Sequence, residues 1–185
     1  VSRWSRSLVA AGVGVALLGV AGCGPGGLAG DESEGATEET SAAKSSEEVL
    51  AGVDPCGMLS DEELKSFGLE LPGETKSPLP WTPGCYYDGD TVSVSFNKNK
   101  RQTVDSAAKK DTWAKFERAE VNGRAGATAV TEGATQAETC DAMFDAGQGM
   151  IQIRAQEISR SDNLDECAKA LEIAKKVEPN VPEPA

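Results

Sequence analysis

The chain has 185 residues, with 18 Lys+Arg against 30 Asp+Glu for a net charge of −12, 39% hydrophobic residues, 5 cysteines and no histidine. That length suits one ordinary domain with room for tails but not for a second full core. The acidity excludes a nucleic-acid binder, which needs clustered positive charge to displace counterions, and the missing histidine removes the usual neutral-pH general base and the commonest zinc ligand.

Residues 1–22 read as an export signal. Arg3 and Arg6 form a short positive stretch, and Leu8 to Val20 is an apolar run too small-residued for a comfortable membrane span. The run ends Val20-Ala21-Gly22-Cys23, which resembles the lipobox of bacterial lipoproteins. In those proteins the cysteine thiol takes a diacylglycerol and the chain is cut just before it, so Cys23 is the expected lipidation site. Two or more acyl chains of the palmitate kind anchor stably where one is marginal. Cutting before Cys23 removes two arginines and no acids, which takes the net charge from −12 to −14. Attachment to the membrane is then covalent rather than electrostatic.

Residues 23–52 follow as an acidic tether. Positions 24–52 carry seven acids against Lys44 alone and no aromatic residue. Such a stretch cannot bury enough apolar surface to offset its ordering entropy. As a flexible coil it would span roughly 30 Å.

The texture of a folded domain runs over 53–178. Leu59-Ser60-Asp61-Glu62-Glu63-Leu64 is a helix start, with Ser60 and Glu63 placed as a capping box and Leu59 and Leu64 as a hydrophobic staple. Phe67 faces inward and Gly68 ends the helix. Four prolines between 71 and 84 predict an irregular loop there. Cys85 to Tyr87 and Thr91 to Phe96 flank Asp88-Gly89-Asp90 as a hairpin. Residues 101–118 suit a helix with Val104, Ala107, Ala108 and Phe116 on one face, and Trp113 packed beside Phe116. Asn122-Gly123 marks a turn between two strands. Cys140, Ala142 and Phe144 alternate on the next strand, and Ile151, Ile153 and Ala155 on the last. Ser161 or Asp162 caps a terminal helix with Leu164, Cys167, Ala168, Leu171 and Ala174 on one stripe. Residues 179–185 are rich in proline and read as a flexible tail. The expected fold is α+β, a single antiparallel sheet packed with helices.

Setting Cys23 aside leaves four cysteines, which allow three pairings. In an exported chain they should be oxidised as structural bridges, and without histidine a zinc site would need all four thiolates. The pairs expected are Cys56–Cys85 and Cys140–Cys167, because sequential pairing links each helix to a nearby element. The crossed pairings close longer loops, and chain entropy alone leaves them open.

A resemblance covers nearly the whole domain. Val53-Asp54-Pro55-Cys56-Gly57-Met58-Leu59-Ser60 resembles the opening of the actinobacterial lipoproteins called domain of unknown function 3558. Gly84-Cys85-Tyr86-Tyr87 matches that family's glycine-cysteine-aromatic segment, with Tyr87 where tryptophan is usual. Val121-Asn122-Gly123-Arg124 is similar to its strand-turn segment, ahead of a strand cysteine at Cys140. Asp165-Glu166-Cys167-Ala168-Lys169-Ala170-Leu171 resembles its terminal helix, where proline more often precedes the cysteine. The resemblance implies a cell-envelope lipoprotein and carries over no catalytic residues.

Several constellations imitate chemistry. Ser106-Ala107-Ala108-Lys109 and Ser161-Asp162-Asn163 follow the order of penicillin-recognising serine enzymes. The Lys-Ser/Thr-Gly strand those enzymes need does not occur in the chain, so solvated and capping roles explain both motifs better. Asp88-Gly89-Asp90 lacks the further ligands of a calcium loop. Glu62-Glu63 and Glu47-Glu48 read as solvated helix starts, and Lys98, Lys100, Arg101, Lys109 and Lys110 as a solubilising cluster. Trp81, in the proline-rich segment, is read as core with a second role open, that of an exposed binding anchor.

The expectation is therefore a non-enzymatic binding or interaction module, held by lipid on the outer face of the cytoplasmic membrane. Its partner would be an envelope protein or a small ligand, with no catalytic residue, metal or cofactor. The alternative is a cell-wall enzyme working with carboxylates, which would show two of them converging in a cleft with raised pKa values.

Overall fold

The computed structural model describes residues 50–134, 139–159 and 163–184. Their core is one seven-stranded antiparallel sheet. The strands are β1 (Glu74–Leu79), β2 (Thr82–Tyr87), β3 (Val92–Asn99), β4 (Trp113–Val121), β5 (Arg124–Thr131), β6 (Thr139–Ala146) and β7 (Gly149–Glu157). Three helices accompany them: α1 (Asp61–Ser66), α2 (Val104–Ala107) and α3 (Glu166–Val177). The spatial order is β1-β2-β3-β7-β6-β5-β4. Two meanders, β1–β3 and β4–β7, thus meet where the last strand returns to pair with the third. No described helix is long and apolar enough to cross a membrane.

The alternation in β3, β6 and β7 decides which face is core. Phe96 lies opposite Ile153, and Ile153 opposite Ala142, all on one face. Onto this face α3 lays Ala170, Ile173, Ala174 and Val177, all buried. Asp165 starts α3 by accepting the Ala168 amide at 2.9 Å. The cap expected at Ser161 or Asp162 lies outside the described residues, and the buried stripe is turned from the expected one: Ala168 is exposed, while Ile173 and Val177 point inward. At the other end α1 forms as read. Ser60 donates its amide to Glu63 Oε2 at 2.9 Å and Ser60 Oγ accepts the Glu63 amide at 3.3 Å. The Ser60 amide, together with Ser60 Oγ donating to the same Oε2 at 2.8 Å, holds the Glu63 carboxyl below its ordinary pKa. Leu59 and Leu64 are buried, and Gly68 ends the helix at φ +76°.

Both expected disulfides are formed, Cys56–Cys85 and Cys140–Cys167. The first ties the 3-10 turn Pro55–Gly57 to β2, the second the first turn of α3 to β6.

Three expectations are corrected. The segment 71–84 is not an irregular loop but holds β1 and the start of β2. Its prolines are tolerated because β1 is an edge strand, and Pro78 and Pro83 fall in the irregularity between the Lys76–Gly84 and Leu79–Thr82 pairs. Within 101–118 only Val104–Ala107 is helical, and a strand begins at Trp113. A bulge between Trp113 and Lys115 inserts one residue, so Trp113 and Phe116 share a face at a spacing of three, which imitates a helix. Their rings stand 6.0 Å apart, and Trp113 Nε1 donates to the Ala107 carbonyl at 2.8 Å. With α2, Ala127, Ala129, Met143 and Met150 they form a second, smaller core on the opposite sheet face.

The third correction concerns the ends. Leu50 is 2% exposed and packs near Gly149, so the packed domain begins before the boundary expected at 53. Lys98 continues the inward phase of Val92, Val94 and Phe96, and it is buried rather than solubilising. Its ammonium is held by the carbonyls of Ala51 and Val53, and burial, then Lys100, push its pKa down. The tail expected from 179 is likewise fastened. Arg124 donates to the carbonyls of Pro182, Val181 and Glu178, and its Nε faces Glu178 Oε1 as an ion pair without good hydrogen-bond alignment. Val181 is 6% exposed, and Gly147 donates to the Glu183 carbonyl at 3.0 Å.

Replacing Arg124 by Ala leaves Glu178 buried without its cation and the Val181 and Pro182 carbonyls without a donor. The expected cost is about 3–5 kcal/mol. A urea melt measures it, and limited proteolysis should cut first within 178–184; an unchanged midpoint would refute the anchoring role.

Candidate binding trough on the open sheet face

The face opposite α3 carries the other phase of each strand. Near β4–β6 it is covered by α2, Trp113 and Phe116. Over β1, β2, β3 and β7 it lies open as a trough of about 670 Å³ lined mainly by polar side chains. That volume falls in the range of small-ligand sites.

The register places the lining in two rows across the strands. One row runs Tyr86, Ser95, Arg154, Asp141, and the next Lys76, Gly84, Asn97, Gln152. Small residues in the middle make the depression. Gly84 is required there: a Cβ would collide with Asn97 Oδ1 and stand 2.9 Å from the Phe96 carbonyl. Asn97 in turn donates to Ser95 Oγ at 3.1 Å.

Each charged wall is neutralised locally. Arg154 grips Asp141 with two parallel bonds, Nε to Oδ1 at 2.8 Å and Nη2 to Oδ2 at 2.9 Å. This is the fork geometry that suits guanidinium to carboxylate, and the bond to Asp141 raises the Arg154 pKa further. Asp141 is 2% exposed and the Arg154 side chain 44%, so the guanidinium is the solvent-facing partner. On the opposite wall Lys76 sits 3.8 Å above the Tyr86 ring and 3.2 Å from Glu74. Tyr86 donates its hydroxyl to Asp88 at 2.8 Å.

Trp81 is neither a core member nor part of this lining. It occupies the turn between β1 and β2, half-buried, with the Arg101 guanidinium 4.2 Å from its ring. Cys23 lies outside the described residues, as do Ser161 and Asp162. Ser106 is exposed and closes a capping box with Thr103, while Lys109 is exposed beyond the helix. Among the described residues no group of three or more metal-ligating side chains converges. Asp145 is the described acid pushed above its ordinary pKa, chiefly by burial. Its Oδ1 is engaged by the Val104 amide at 2.7 Å, and the nearby Asp105 is exposed and paired with Arg118 at 2.7 Å. A second hollow, about 520 Å³ between α1 and α3, has its amides committed internally: Asn122 to Lys175 and Glu178, Asn180 to Met58.

Sequence reasoning did not single out Tyr86, Asn97, Gln152, Arg154 or Gln156 as a site. The signal was present as the outward phase of β3 and β7, Ser-Ser-Asn and Gln-Arg-Gln, interleaved with the apolar phase that located the core.

The chain belongs to the family described as protein of unknown function (DUF3558), which matches residues 18–180. No curated protein and no solved structure matches it.

Two measurements probe this face. Arg154→Ala strands the Asp141 carboxylate and should cost about 2–3 kcal/mol, less than a fully buried pair because the guanidinium is half-exposed. The double variant Arg154→Ala/Asp141→Ala should recover part of that loss, and no recovery would show that the two side chains do not act as a pair. Asp145 tests the electrostatics. Its folded pKa lies above the ordinary 3.8, so the folded state binds more protons just above that pH and stability falls as pH rises through the folded pKa. Asp145→Asn keeps the acceptor for Val104 and removes the titration. Its stability relative to the parent should rise as the pH climbs from the ordinary 3.8 through the folded pKa, and a flat difference in urea midpoints would contradict the burial of this charge.

Proposed function

We propose that the protein is a lipid-anchored cell-envelope lipoprotein that acts as a non-enzymatic binding module through the open trough. The observation that carries this reading is the trough itself: an uncovered, polar stretch of a sheet whose opposite face is fully used by α3 and the first core. The anchor is inferred from Arg3, Arg6, the apolar run and Cys23. Geometry supports combining the two. Lys98 and Leu50 hold the incoming chain against the helix-covered face, whereas the trough opens on the other.

The carboxylate enzyme is the weaker reading. The acids beside the trough, Glu74 and Asp141, are each spent on a cation, and Asp145 is spent on an amide. Groups so engaged are poorly placed to trade protons with a substrate.

Cys23→Ala in the full chain should leave an uncleaved or mislocalised precursor in membrane fractionation; processing and membrane retention as before would remove the anchor from the proposal. For the binding role, Lys76 on the trough wall supplies a reporter. Acylation of Lys76 in the detergent-solubilised full chain should fall at least about threefold when fractionated envelope extract is added, and Gln152→Ala should abolish the protection. Equal acylation with and without every fraction would argue against the trough as a binding site.

A further inference from the structure

We infer that the trough takes a neutral saccharide, a short chain of hexose or N-acetylhexosamine rings. The inference rests on the binding role proposed above and adds the class of ligand.

Charge decides first against the alternatives. The cations at the trough, Lys76 and Arg154, each face an acid of their own, Glu74 at 3.2 Å and Asp141 at 2.8 Å. An anionic ligand would have to compete with those carboxylates, inside the field of a chain of net charge −12. A cationic ligand meets the converse: Glu74, though exposed, is already paired with Lys76, and Asp141 is buried beneath Arg154. The charges on both walls thus come already paired, which favours a neutral group over a charged one.

What remains is amide and hydroxyl chemistry, uncommitted at Gln152 and Gln156 and shared within the Asn97–Ser95 pair. Gln152 and Gln156 on β7 and Asn97 on β3 present carboxamides to the trough, beside the Ser95 hydroxyl. A carboxamide offers both donors and an acceptor. Sugar hydroxyls are likewise both, so each hydroxyl can accept from one amide and donate to another. A single charged group has no such two-way complement.

The shape fits a ring. Tyr86 and Arg154 stand two strands apart, about 10 Å at the usual strand spacing, with Ser95 between them. Gly84, which admits no Cβ, makes room for the Asn97 side chain beside it. A pyranose lying over Ser95 would set its apolar C–H face toward the Tyr86 wall and its hydroxyls toward Gln152 and Gln156. Arg154 has its Nε and Nη2 fixed on Asp141, and among the described residues nothing takes Nη1. That nitrogen is a held donor for a ring or acetamide oxygen.

Calorimetry on the detergent-solubilised full chain tests this. The neutral probes are maltotetraose, cellotetraose, mannotetraose and chitotetraose, and tetragalacturonate is the anionic control. At least one neutral probe should bind, with an affinity that changes less than about twofold between about 0.05 and 0.5 M salt. Gln152→Ala and Tyr86→Ala should each weaken it at least about tenfold. Ser95→Leu, which fills the depression, should abolish it while circular dichroism stays that of the parent. Three results overturn the inference: preferential, salt-sensitive binding of tetragalacturonate; undiminished binding in both Gln152→Ala and Ser95→Leu; or no binding of any probe. In the last case Lys76 acylation separates the causes. Protection by envelope extract would leave the binding role standing with another ligand class, and no protection would take both down.

Discussion

The pairing of β3 with β7 is the constraint on which the rest of the domain depends. Within each meander the paired strands follow one another in sequence, but the seam joins residues 92–99 to 149–157, partners 51 to 65 positions apart. Closing that interval costs chain entropy before any contact rewards it. The core face repays it through Phe96 against Ile153 and Val94 against Ala155, with α3 laid over the second half. Neither disulfide crosses the seam. Cys56–Cys85 lies within the first half and Cys140–Cys167 within the second, so each lowers the entropy of its own half only. The trough lies over the same seam, since Ser95 and Asn97 come from β3 and Gln152 and Arg154 from β7. The site therefore exists only when the two halves are joined.

Two buried cations then fasten the ends of the domain to this sheet. Lys98 on β3 takes the carbonyls of Ala51 and Val53, and Arg124 on β5 takes those of Glu178, Val181 and Pro182. Backbone carbonyls at chain ends have no ladder to satisfy them, and a buried one without a donor costs free energy like a lost hydrogen bond. The two cations answer that need differently. Lys98 is a point charge whose pKa burial depresses, whereas Arg124 is a planar fork that spreads several donors over a turn. Asn180 links the two ends by donating to Met58 at 2.9 Å.

The legible parts of the fold were those whose signal is local. A capping box is four residues long, so α1 could be read from Ser60 and Glu63 directly. The alternating β3, β6 and β7 announced both strand and inner face, and the sequential disulfides followed from pairing each helix with its neighbour. What escaped is non-local or looks like something else. The bulge in β4 gave Trp113 and Phe116 a helix-like spacing, because an extra residue shifts the two-residue period. The prolines of 71–84 signalled a loop because their tolerance depends on β1 being at the edge, a property of sheet order. The C-terminal segment looked loose because its partner, Arg124, is 54 to 58 residues away in sequence. Lys98 is different: its place in the 92-94-96 phase was visible, and the surrounding cluster of basic residues masked it.

The two faces of the sheet explain why a binding site should lie where the trough does. An antiparallel sheet needs one face buried and can leave the other wet, and that freedom is used unevenly here. On the β4–β6 half the second face is apolar, with Met143, Ala127 and Ala129, and must be covered, which the single turn of α2 and the Trp113 and Phe116 rings accomplish. On the β1–β3 and β7 half it is polar, and coverage would strand amides and hydroxyls that water now satisfies. Solvation alone would be met by a flat row of long charged side chains. Instead the small Ser95 leaves the centre hollow, and the charges at its walls are tied to their own counter-ions. Fixing Arg154 in two bonds to a buried carboxylate costs it rotamer freedom, and a surface that needed only solubility would gain nothing from that order. Held donors around a hollow are what a ligand needs to meet a prepared site, since ordering on binding is then already done.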